Sequence, residues 1–163
     1  HIAQRAYCFL EAIERIPGQD KVTKEEQREE LMEWVTRVRR SCAELGRERI
    51  ADECIGKLFS HAPVGEDGVW PGEAVRDVMD DLRSEDISIG AYRGLSNARG
   101  VHWRREGGGQ ERELANKYRT WADALQFTHP FVSSTVLMKL VNTYEREAEQ
   151  HDTEVGVQRR LWH

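Results

Sequence analysis

The absences in this sequence narrow its reading before any positive feature does. Cysteine is sparse: Cys8, Cys42 and Cys54 are odd in number, and no C-x-x-C spacing occurs. Each lies among apolar residues at helical spacing, so buried free thiols in a reducing compartment are expected rather than a disulfide framework. Proline and glycine are few, 4 and 13 in 163 residues, which excludes low-complexity and collagen-like chains. No apolar run approaches the roughly 20 residues that cross a bilayer, so no membrane partner is expected. The start, His1-Ile2-Ala3-Gln4-Arg5, has no signal-peptide pattern. An excess of basic residues is also missing. The net charge is −5, and a nucleic-acid-binding domain ordinarily carries the opposite balance.

Motifs with known chemistry are equally scarce. H-E-x-x-H, G-x-S-x-G and Gly-Lys-Ser/Thr after a glycine loop are all absent. No metal and no cofactor is expected, and the case for an enzyme is weak.

What is present is helical periodicity. Ile2, Ala6, Phe9, Leu10, Ile13 and Ile16 share one face of a first predicted helix, which Pro17-Gly18 ends. Thr23 and Glu26 form an S/T-x-x-E capping box ahead of a second helix, whose face carries Leu31, Val35, Val38, Cys42 and Leu45. A third helix buries Ile50, Ala51, Cys54, Ile55, Leu58 and Phe59, and a fourth follows Pro71 with Ala74, Val75, Val78, Met79 and Leu82. Ser84 caps a fifth, whose thin face of Gly90, Ala91, Gly94 and Ala98 invites close approach of another helix. Leu114, Tyr118, Trp121, Ala122 and Leu125 mark a sixth, and Pro130 opens a seventh that runs through the β-branched Val132–Val136 stretch. Asp152 or Thr153 caps a last short helix. The expected fold is all-α, an irregular bundle of seven to eight amphipathic helices, with a helical-hairpin array as the alternative. Both chain ends read as cut inside helices. A single domain over residues 1–163, part of a larger cytoplasmic protein, is therefore expected.

Candidate contact residues fall in two loops. The first, Ser60 to Trp70, gathers His61, Glu66, Asp67 and Trp70. The second, Arg99 to Gly109, gathers Arg99, His102, Trp103, Arg104 and Arg105 before three glycines. Arginines beside an aromatic can hold a phosphate or stack on a base. Loop tryptophans are expected to be exposed and to mark an interface, whereas Trp34 and Trp121 lie on helix faces and are expected in the core. His129, ahead of Pro130, reads as a structural histidine at a helix start. Three functions follow. The first is a non-catalytic interaction or regulatory domain that contacts the rest of its parent polypeptide or another protein. The second is a nucleic-acid or nucleotide phosphate contact through loop 99–109, which the net negative charge disfavours. The third is a hydrolytic or acid–base site using His61, Glu66, Asp67 and His102.

Overall fold

The structure, a computed structural model, describes residues 15–98 and 108–161. Among these residues there are six helices and no strand. They are α1 (Lys24–Ala43), α2 (Glu48–Phe59), α3 (Glu73–Leu82), α4 (Glu85–Ala98) and α5 (Gly109–Leu125). The sixth, α6, runs without a break through Pro130–Val132, a π-helical Ser133–Leu137 and Met138–Leu161. The predicted first helix lies outside the described residues except for its end, where Ile16 is buried. The predicted separate last helix does not exist as such, because α6 continues through Asp152 and Thr153. The count is therefore lower than expected, while the all-α class stands.

Local chemistry explains most boundaries. The Thr23 hydroxyl accepts the Glu26 N–H (3.2 Å), and the Glu26 carboxylate accepts the Thr23 N–H (3.3 Å). The capping box thus satisfies two amides that the first turn of α1 leaves without partners. Leu31 and Val35 point inward and are fully buried, but Leu45 is 68% exposed. The helix stops before it: Gly46, at φ +65°, reverses the chain, donating its N–H to Ala43 O while Arg47 donates to Cys42 O. This is the Schellman closure, which needs a residue tolerant of positive φ.

α1 packs on α2 and α3, α2 packs chiefly on α4, and α5 packs along α6. The larger pairings within α1 to α4, α1 on α3 and α2 on α4, skip one helix in sequence, unlike a hairpin array. Fully buried Phe59, Ile55, Met79, Ile87, Leu137 and Leu140 anchor the common core. Each contributes on the order of 2 kcal/mol by leaving water. The small residues of α4 do what their spacing suggests. A Cβ on Gly90 would lie 2.1 Å from Glu53 O, and one on Gly56 would lie 1.9 Å from Ile87 O. The backbones of α2 and α4 are therefore in contact. Asp52, 5% exposed on α2, joins three elements. It accepts from Arg39 Nε (2.9 Å) and Nη2 (3.0 Å) on α1, and from Ser84 Oγ (2.5 Å) ahead of α4. Ser84 Oγ also accepts the Ile87 N–H, which is the cap expected of it.

The π turn has a cause in the Ser133-Ser134-Thr135 run. Ser134 and Thr135 donate their hydroxyls to Pro130 O and Phe131 O (2.7 Å each), and Ser133 donates to Ala122 O on α5 (2.7 Å). Hydroxyls that claim carbonyls of the preceding turn compete with the α-helical ladder, and β-branched neighbours add crowding. The Met138 N–H accordingly reaches back to Ser133 O, one residue further than an α-helix allows. Val132, Ser133, Val136, Leu137, Leu140 and Val141 are all buried as a result.

Candidate functional site

The first predicted contact loop is organised by a residue outside it that no local motif marks. Arg76, on α3, is 3% exposed. Its guanidinium holds both carboxylate oxygens of Asp67 (2.7 and 2.9 Å), Val69 O (2.8 Å) and Pro71 O (2.8 Å). The two carbonyls flank Trp70, so the clamp turns that residue into the core. Trp70 is 3% exposed, which corrects the expectation of an exposed interface tryptophan. Its buried Nε1 has no hydrogen-bond partner. The Arg76 guanidinium holds the Asp67 carboxyl down at about 2, and the Val69 N–H that it accepts acts in the same direction. Glu66 pairs with Lys24 at 3.1 Å. The two carboxylates assigned to acid–base work are thus engaged by cations, and His61 lies exposed on the surface. Trp121 closes the loop from α5, donating Nε1 to Gly68 O (3.0 Å). It and Trp34 are half-buried against the core rather than enclosed in it. Cys42 and Cys54 are not joined to each other by a disulfide, and both are half-buried rather than buried as expected.

Arg99, His102, Trp103, Arg104 and Arg105 lie outside the described residues, as does Cys8. The glycine run meets the described structure at Gly108, whose N–H donates to Asp152 Oδ1 (3.1 Å) while Arg112 pairs with the same carboxylate. A carboxylate from α6 therefore stands where an anion would meet the start of α5. The Gly108 amide, with Arg112, lowers the Asp152 pKa.

A different set of residues builds a cleft of about 520 Å³ between α1, α3 and the α5–α6 turn. α1 contributes Lys24, Glu25 and Arg28. α3 contributes Asp77, Asp80 and Asp81, which helical spacing puts on one face, and Arg83 follows them. Thr128 and His129 form the third wall.

Two of the aspartates fasten α3 to the start of α6. His129 precedes Pro130 as the N-cap residue but makes no side-chain cap bond. Asp80 supplies the cap from another helix, its Oδ1 accepting the Phe131 and Val132 N–H groups (3.1 Å each). A carboxylate there also meets the positive end of the helix dipole. Three residues earlier, Asp77 Oδ1 lies 2.7 Å from His129 Nε2, and the other ring nitrogen lies 3.0 Å from Thr128 Oγ1. Asp81 pairs with Arg28. Arg83 ends α3 in the left-handed region at φ +47°, an unfavourable place for a side chain with a Cβ. No sequence motif links Asp77 to a histidine 52 residues later. His129 could be read as structural, but not as one member of a carboxylate–imidazole–hydroxyl string.

Among the described residues, no group of three or more His, Cys, Asp or Glu side chains is arranged to hold a metal ion. No described helix is long and apolar enough to cross a membrane. No protein-family model, curated protein or solved structure matches the chain.

Proposed function

We propose that this chain is a helical interaction domain that binds another polypeptide, or another part of its own, across the cleft between α1, α3 and the α5–α6 turn. One observation carries the reading. The two most exposed large apolar side chains among the described residues, Val22 at 94% and Phe127 at 89%, stand in sequence two residues before the cleft residue Lys24 and next to the cleft residue Thr128. A single exposed apolar residue needs no explanation, but two that neighbour cleft-lining residues in sequence fit the apolar anchors of an interface. The cleft sets Lys24, Arg28 and Arg83 against Glu25, Asp77, Asp80 and Asp81, three cations against four carboxylates. Such a mixed floor repels a phosphate backbone and suits a polypeptide, whose side chains carry both signs.

Site-specific photo-crosslinking tests the reading. A photoreactive phenylalanine analogue at position 127 of the intact protein should give a discrete polypeptide adduct. Its yield should be several times that at the exposed control Glu149, and Val22→Ser should reduce it. Phe127→Ser should leave the melting temperature nearly unchanged, because an exposed ring contributes little to folding. Equal yields at positions 127 and 149 would refute this assignment of the surface.

A further inference from the structure

The same cleft holds an arrangement that goes beyond binding. We propose that Thr128 is a nucleophilic hydroxyl that accepts acyl groups from activated esters, with His129 as its general base. Asp77 is then the positioning residue that orients the base. An activated nucleophile needs a base within hydrogen-bond reach and a third group fixing that base. Both distances are present, 3.0 Å from Thr128 Oγ1 to His129 Nδ1 and 2.7 Å from His129 Nε2 to Asp77 Oδ1.

The tautomer follows from chemistry. An ionised carboxylate only accepts, so Nε2 carries the ring proton and donates it to Asp77. Nδ1 is left with its lone pair and accepts the Thr128 hydroxyl proton. Other described hydroxyls point elsewhere: those of Thr36, Thr120, Ser134, Thr135, Thr143 and Thr153 donate to helix carbonyls. A carbonyl does not remove a proton, whereas an imidazole nitrogen does. Thr128 is also exposed at the cleft, where a substrate can reach it.

Around the ring the cleft places Asp77, Asp80 and Asp81 of α3 and Glu25 of α1 together with Lys24, Arg28 and Arg83. Arg83 donates Nε to Asp80 O and has no carboxylate partner among the described residues, so its remaining N–H groups are open to an anionic oxygen. In the reaction, Thr128 Oγ bonds to the ester carbonyl carbon as its proton moves to Nδ1. The bond to the leaving oxygen then breaks, the proton passes from Nδ1 to that oxygen, and an acyl-threonine ester remains. With four carboxylates against three cations, the cleft disfavours multiply charged phosphorylated donors, so the substrate class is a small neutral or cationic activated ester.

The test incubates the full chain with p-nitrophenyl acetate and maps the acetyl groups by peptide mass spectrometry. Acetylation should be selective for Thr128 over the exposed Thr120, persist in Thr128→Ser and vanish in Thr128→Val. His129→Gln should slow it about a hundredfold, the usual contribution of a general base. Asp77→Asn should lower the acetylation rate constant while leaving the saturating ester concentration unchanged, which a merely structural role would not do. Acetylation no greater at Thr128 than at Thr120, or unaffected by His129→Gln, would overturn the proposal. Neither result would alter the cross-linking yield at position 127.

Discussion

Gly56→Ala is expected to destabilise the fold by about 3 kcal/mol, the upper end of the usual range for overpacking. That corresponds to a fall in Tm of roughly 10 °C for a chain of this size. The new Cβ would sit 1.9 Å from Ile87 O and 2.8 Å from Ala91 N, both backbone atoms of α4. A side chain could rotate away from such a contact, but a helix backbone can yield only if the two helices separate. Gly90→Ala makes the reciprocal clash, 2.1 Å from Glu53 O, and should cost a comparable amount. Gly109→Ala is the control, since nothing lies within 4 Å of its Cβ and the position is helical. It should be neutral or slightly stabilising. Chemical denaturation of the three variants checks the contrast. Equal stability of all three would mean that α2 and α4 are not in backbone contact.

Arg76→Ala is expected to be of similar size, about 3 kcal/mol, because it removes a buried guanidinium that satisfies four acceptor sites at once. Asp67 retains 47% side-chain exposure and can return to water, which keeps the loss below the full cost of a stranded buried charge. The carbonyls of Val69 and Pro71 are the greater liability, and the variant should release Trp70 from the core. Its fluorescence would then shift to the red. Arg76→Lys should recover little, since an ammonium cannot span both carboxylate oxygens and two carbonyls. The pair also predicts a pH effect. The folded Asp67 carboxyl titrates at about 2 instead of 3.8, so its contribution is complete above pH 3.8 and is lost as pH falls from there towards 2. In Arg76→Ala that component of the acid loss should be gone.

Features written in local spacing were legible, and features made by tertiary contact were not. The Thr23/Glu26 box, the Ser84 cap, the Leu31/Val35 face and the small-residue face of α4 depend on residues three or four apart. They appear in the structure as read. Leu45 continued the spacing but not the helix, because Gly46 closes α1 with a positive φ. The β-branched stretch after Pro130 was recognisable as helix. Its π winding depends on where three hydroxyls find carbonyls, one of them on another helix. Trp70 looked like an exposed loop residue because nothing local announces that Arg76 draws its neighbours inward. The same holds for the cleft. Asp77 and Asp80 look like ordinary solvated aspartates on α3. Only the fold brings them to the start of α6, where they meet His129 and two open amides.

The contact between Asp77 and His129 supports both the placement of the cleft and the chemistry assigned to it. Long-range proton–nitrogen correlation on uniformly labelled protein reads it directly, at a pH where the ring is neutral. His129 should hold its proton on Nε2, with Nδ1 unprotonated, and Asp77→Asn should loosen that preference. A proton on Nδ1, or rapid exchange between the two nitrogens as in a free imidazole, would contradict the arrangement.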